Sequence, residues 1–290
     1  MDTLGASSSP PAPTAEPWEL TDGLAVEAIP GKGQGVRARR PFARGETVLA
    51  EAALFTQSLR RTNASTNVLP CGGNDAHGHV AARGGLFLRG ARFNSSCVPN
   101  VNNHWDAARG LLVFRALRDI APGEELCLAY GRLLATRAAR RAEMRAKFGF
   151  ECACEACALT GRALAESDAR RESLGSMYAA HLQGAYGDPM DGLGEAVLAV
   201  RMLREEQLPV YASSFYYSGF HCCAAVADYR SAKAWAAKAF DASRAAFGAD
   251  HASRWKRLVS DPSSYAAAGS LGKRTLAGPD SPLWAVLGLS

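Results

Sequence analysis

The chain has 290 residues, of which 48% are apolar, 21% charged and 8% aromatic. That composition excludes wholly disordered, collagen-like and fibrous proteins and leaves room for one large or two modest folded domains. A formal charge of +5 with a pI near 8.8 falls short of the basic stripe that nucleic-acid binding requires, so no direct nucleic-acid contact is expected.

Residues 1–17 are mainly Pro, Ser, Ala and Thr with scarcely any large apolar side chain, and are predicted to form a disordered tail. They carry no basic and apolar signal for export, and no later apolar run reaches the roughly 18–20 residues that cross a bilayer. Membrane insertion and secretion are therefore set aside, and a nuclear or cytoplasmic location is expected. The sequons at Asn63 and Asn94 are discounted on the same ground.

From Trp18 to Tyr130 short strand-like runs alternate with turn residues: Leu24–Ile29, Gly35–Arg39, Glu46–Leu54, Leu111–Ala116 and Glu125–Tyr130. They predict a β-rich domain. Residues 57–84 are polar, glycine-rich and weakly periodic, and read as a surface loop holding at most one short helix. Arg132 to Lys147 contains no Gly or Pro and stops before Gly149, which predicts a helix. Its six basic residues read as a solvated face with cations near the negative end of the helix dipole. Helical periods then run to about residue 260. Asp191–Ala199 and Ala227–Trp235 are alike at an offset of 36 residues, near the period of tetratricopeptide helix pairs. Two copies are fewer than a free-standing solenoid needs, so this region is expected to lean on the first domain.

Eight cysteines in a chain that is not exported should stay reduced, which points to metal binding. Cys152, Cys154 and Cys157 place three thiolates within six residues, a set suited to a closed, structural zinc site. The fourth ligand is open at this level between Cys71, Cys97, Cys127, Cys222, Cys223 and six histidines. Gly31-Lys32-Gly33-Gln34-Gly35 lacks the spacing of a phosphate loop and opens no helix, so by itself it is a turn between strands. Phe93-Asn94-Ser95-Ser96-Cys97-Val98-Pro99-Asn100, taken alone, is likewise an asparagine turn.

Together and in this order, these pieces resemble a SET domain of protein lysine methyltransferases. The matching residues are Gly31–Val36, Gly45-Glu46 with Glu51, Phe93–Asn100, Gly123-Glu124-Glu125-Leu126 ending at Tyr130, and the cysteines at 152–157. Phe150 just before those cysteines and the helical C-terminal part are most similar to the branch of SMYD and fungal SET-domain proteins. The stretch between Glu51 and Phe93 is too short and cysteine-poor for a MYND module.

The resemblance implies an α+β protein: a SET domain over 18–131 with a threaded pseudoknot, a linking helix and post-SET zinc segment over 132–160, and an α-helical region over 161–290 resembling tetratricopeptide pairs. It implies S-adenosylmethionine held by Lys32, Gly33, Gly35, Asn94, Ser95 and Tyr130, with Phe150 on the adenine. It makes Cys97 the fourth ligand, beside Cys152, Cys154 and Cys157, of one structural zinc ion. Tyr130 becomes the catalytic residue of a protein lysine N-methyltransferase whose partner is a histone or other protein presenting a lysine, and a monomer is expected. One position departs: Ser95 stands where the family usually has histidine, giving up an imidazole near the cofactor. The alternative reading is a catalytically inactive SET fold serving as a zinc-stabilised interaction module.

Overall fold

Leu24, Ile29, Val36 and Ala38 turn inward from two strands that a tight turn at Pro30–Lys32 folds into a hairpin, β1 (Leu24–Ile29) and β2 (Gly33–Ala38). This computed structural model describes residues 23–58, 68–71, 83–184 and 187–288. The tail expected at 1–17 and the start of folding at Trp18 lie outside the described residues.

Among the described residues, three sheets make up the N-terminal part. The first has the order β1-β2-β10-β7, with β10 at Glu125–Leu128 and β7 at Asn94–Ser95. β10 runs antiparallel to β2 and parallel to β7, and this brings three stretches distant in sequence edge to edge. The second sheet has the order β3-β9-β8, from Thr47–Glu51, Leu111–Ala116 and Val101–Asp106. Between the sheets lies a core of Val36, Phe42, Phe87, Phe93, Leu112, Phe114, Ile120 and Leu126, in which the Phe93 and Phe114 rings stack at 4.9 Å. Burying each such side chain is worth about 1.5–3 kcal/mol, and Phe93 anchors the loop that leads into Asn94. Glu51 helps fix that loop by accepting the backbone N–H groups of Arg89 and Gly90 at 3.0 and 2.8 Å.

The stretch 57–84 is not all loop. β4 (Phe55–Ser58) and β5 (Val68–Cys71) both pair with β6 (Arg83–Leu86) in a third sheet of order β4-β6-β5; the rest of the stretch lies outside the described residues. Gly84, Gly85 and Pro70 are poor strand formers, so composition hid these strands. Pro70 is tolerated because β5 is an edge strand, where a missing N–H leaves no ladder bond unmade.

The first helix, α1, spans Arg137–Phe148, five residues shorter at its start than the Gly- and Pro-free run. The Thr136 side chain accepts the Ala139 N–H at 3.3 Å and so sets the start, as a threonine N-cap does. Gly149 ends the helix at φ 73°, a left-handed conformation that favours glycine. α2 (Glu155–Ala158), α3 (Gly161–Leu182), α4 (Pro189–Glu205), α5 (Ala212–Ala225), α6 (Tyr229–Ser260, kinked at Gly248) and α7 (Leu283–Val286) follow. The two similar segments fall in α4 and at the start of α6, both packed against α5.

α6 docks on β8 and β9, where the Asn102 amide donates to the Ala246 carbonyl at 2.9 Å. Burial, aided by the Arg115 charge and opposed by Asp106 and Asp250, holds His104 at a pKa of about 4. Burial, with the charges of Arg254 and His104, brings His251 to a similar value of about 4. Both imidazoles must be neutral in the folded chain and take up protons near 6.5 when it unfolds. The unfolded state therefore binds more protons between these values, and stability is expected to fall as pH drops from about 6.5 to 4. Urea midpoints at pH 7.5 and 5 check this. The difference should shrink in a His104→Asn, His251→Asn double variant; an unchanged difference would place the acid sensitivity elsewhere.

Candidate functional site

The turn at Gly149 sends Phe150–Cys154 back along α1 toward the sheet edge formed by β7 and β10. There the sulfurs of Cys97, Cys152, Cys154 and Cys157 gather within 4.8 Å of one another, all four residues buried. Cys97 and Cys157 sulfurs stand 3.6 Å apart, and the Cys97 backbone N–H points at the Cys154 sulfur at 3.3 Å. A tetrahedral ion with Zn–S bonds of about 2.3 Å sets sulfur separations near 3.8 Å, so the group fits one zinc ion. Of the alternatives left open by spacing, Cys97 is the one that stands with the other three sulfurs among the described residues.

Helices brace this group. Arg171 of α3 donates to the carbonyls of Cys97 and Leu133 at 3.1 and 2.9 Å and pairs with Glu206 at 2.7 Å. Arg141 donates to the carbonyls of Cys152 and Cys157 at 3.0 and 3.1 Å, and Arg140 is only 2% exposed. The basic face of α1 is thus not wholly solvated: Arg140 is buried and Arg141 turns toward the cysteines, positions that local composition does not encode.

In front of the sulfurs opens a cavity of about 390 Å³ lined by Lys32, Asn94, Ser95, Tyr130, Phe150, Cys152 and Cys154, together with Pro30, Gly31, Glu151 and Ala153. Its volume lies in the range of small-molecule sites, about 300–1,000 Å³. Most expected site residues therefore share one wall. Gly33 and Gly35 do not line it. Gly33 is exposed at the start of β2, while Gly35 sits behind Asn94.

Glu125 joins the pieces of this wall. Its carboxylate takes the Lys32 ammonium at 2.7 Å and accepts the Asn94 amide at 3.0 Å. Burial works against the Lys32 charge, but the hydrogen bond to Glu125 and the neighbouring negative groups outweigh it and hold the ammonium above its usual pKa range. A Cβ on Gly35 would lie 2.6 Å from the Asn94 amide nitrogen and 3.2 Å from Glu125 Oε1. Gly35→Val is accordingly expected to displace the Asn94–Glu125 pair and weaken any ligand of this wall by at least about tenfold, the equivalent of one charge-assisted hydrogen bond. Titration calorimetry against the parent chain checks it; equal affinity would contradict it. Glu125 received no role from sequence, although it is the second acid of the Gly123–Leu126 motif.

Tyr130 joins two cores, packing on the sheet cluster and on the cysteine cluster. Its hydroxyl donates to the Phe93 carbonyl at 2.5 Å, and its ring meets Phe148 at 5.0 Å. Burial, with the nearby Cys127, pushes the phenol up to about 12, so it is protonated at neutral pH. Asn100 is buried and structural: its amide donates to the Glu125 carbonyl and accepts the Cys127 N–H, at 2.9 and 2.8 Å. The Ser95 hydroxyl is 4.0 Å from the sulfur of buried Met144 on α1, so a methionine occupies space beside this small residue.

A parallel β7–β10 junction, a glycine-bearing hairpin and a four-cysteine knot around one cavity define a recognisable unit, and residues 33–131 match the family model of the SET domain. The chain carries a SET domain. It is 28% identical over 193 residues to the histone-lysine N-methyltransferase set5 of Schizosaccharomyces pombe, across 64% of this chain and 60% of that protein. It is 37% identical over 87 residues to the human protein-lysine N-trimethyltransferase SMYD5, across 29% of this chain and 19% of that one. The human histone-lysine N-methyltransferase SMYD3 is 38% identical over 73 residues, across 25% and 17%. The chain thus spans three fifths of the first relative and less than a fifth of the other two.

Proposed function

We propose that this chain is an S-adenosylmethionine-dependent protein lysine N-methyltransferase that acts on a histone or another protein presenting a lysine. The observation that carries this reading is the convergence of Lys32, Asn94, Ser95, Tyr130 and Phe150 on one cavity backed by the cysteine group. The names of the relatives support the same class.

The residues present suit the cofactor. Lys32 offers a cation to a carboxylate, the Asn94–Ser95 backbone and amide offer hydrogen bonds, and Phe150 offers a ring face to an adenine. When bound, S-adenosylmethionine supplies a methyl group on a positively charged sulfur. The chain's own part is alignment, which is worth up to about 7–11 kcal/mol when two reactants are held in register. Tyr130 stays protonated, so it orients an incoming amine through its hydroxyl oxygen and is not a base. The substrate lysine must therefore be neutral on arrival. Its reference pKa near 10.4 is lowered by desolvation among Tyr130, Phe148 and Phe150 and by a like charge close by.

The contact of Ser95 with Met144 favours a second reading, an inactive SET fold serving as a binding module, because it takes space where the family usually places an imidazole. Incubating the full chain with methyl-tritiated cofactor and core histones or a whole-cell protein extract separates the two. The proposed activity gives label on lysine that depends on the protein. A chain that binds the cofactor and labels nothing in either substrate pool would uphold the module reading.

A further inference from the structure

We propose that Glu125 is a positioning residue of this cavity: its two carboxylate oxygens hold Lys32 and Asn94 so that the wall offers an ammonium and an amide oxygen together, a pair that suits the zwitterionic amino-acid end of a ligand. This rests on the proposed use of the cavity for S-adenosylmethionine, which carries such an end.

Lys32 and Asn94 line the cavity, and the Glu125 side chain, 16% exposed, holds both. Each oxygen has its own partner: Oε2 takes the Lys32 ammonium at 2.7 Å, and Oε1 accepts the Asn94 amide nitrogen at 3.0 Å. The backbone beneath is fixed as well. Glu125 pairs with Arg37 on β2, and its carbonyl accepts the Asn100 amide at 2.9 Å. An ammonium has three N–H groups, so Lys32 keeps two for a ligand carboxylate after bonding Glu125. An amide is planar, with nitrogen and oxygen on opposite sides of its carbon. Turning the Asn94 nitrogen to Glu125 therefore turns its oxygen the other way, where it can accept from a ligand ammonium. The Lys32–Glu125 pair is neutral as a whole, which favours a zwitterion over a net anion. Lys32 stands on the hairpin turn, and holding its long side chain in place before binding removes an ordering cost from the ligand's affinity. A carboxylate can serve both partners because both of its oxygens accept. Glutamine has the same shape but one acceptor and one donor, so it must either release Lys32 or turn Asn94 around.

The test titrates the full chain in a calorimeter with S-adenosylhomocysteine and, separately, with methylthioadenosine, which keeps the adenosine and the sulfur but lacks the amino-acid end. Glu125→Gln is expected to weaken S-adenosylhomocysteine about tenfold or more, the size of one hydrogen bond to a charged group, and to leave methylthioadenosine near its parental affinity. Glu125→Asp keeps two acceptors on a shorter arm and should lose less; it stands in where the glutamine variant does not fold. Introduced into Lys32→Met, Glu125→Gln should cost less affinity than it does in the parent, because part of its effect passes through Lys32. Equal weakening of both ligands, or an undiminished effect in Lys32→Met, would overturn the proposal by showing a merely structural role. Parental affinity of Glu125→Gln for S-adenosylhomocysteine would overturn it too. A parent chain that binds neither ligand would overturn the cofactor reading itself, and with it the role of Glu125.

Discussion

Replacing Tyr130 with phenylalanine is expected to lower turnover by about 10²–10³-fold, the usual loss when one hydrogen-bonding group at a reacting centre is removed. Cofactor affinity should stay near the parental value. The split follows from geometry. The phenyl ring keeps the contact with Phe148 at 5.0 Å and the packing on both core clusters, so the cavity wall survives. What disappears is an oxygen fixed by its hydrogen bond to the Phe93 carbonyl at 2.5 Å. Since that phenol is held protonated, its loss removes orientation and not a base, and the pH dependence of residual turnover should keep the parental shape. Steady-state kinetics with the labelled cofactor gives the answer. Full turnover by the variant would take Tyr130 out of the reaction.

Cys154→Ser should have the largest effect on stability. Its sulfur belongs to the four-cysteine group, accepts the Cys97 N–H and also lines the cavity. Structural zinc contributes on the order of 10 kcal/mol or more in small metal domains, against a net folding stability of about 5–15 kcal/mol. Zinc content should fall from one per chain to none. The cluster holding Leu133, Met144, Leu174 and Leu203 around the cysteines should loosen, while the phenylalanine-rich sheet core persists. Two separated thermal transitions are the expected signature, read by calorimetry beside elemental analysis. A variant with parental zinc and a single unshifted transition would show that Cys154 holds no metal.

What the sequence reveals of this site is what local chemistry encodes. Short apolar runs bounded by turn residues expose β1 and β9, and the compact spacing of Cys152, Cys154 and Cys157 exposes a group suited to a metal. Tyr130 and Asn94 are found only through the order of the motifs. Glu125 and Arg141 stay hidden for a different reason: each looks like a surface charge until the fold places it against Lys32 and Asn94, or against the Cys152 and Cys157 carbonyls. The β4-β6-β5 sheet is hidden because its strands rest on pairing between partners and contain Pro70, Gly84 and Gly85, which local propensity rejects. The start of α1 is shifted because one threonine oxygen decides it.

On the proposed function, the cysteine group shapes a pocket for S-adenosylmethionine between the hairpin turn and Tyr130. Titrating the zinc-loaded full chain with the reaction product S-adenosylhomocysteine in a calorimeter tests it most directly. Saturable binding of one ligand per chain is predicted, with a stabilisation of about 2.7 kcal/mol at 100 times the dissociation constant, and with marked weakening in Asn94→Ala. A folded, zinc-loaded chain that gives no binding heat and no thermal shift at millimolar ligand would contradict it.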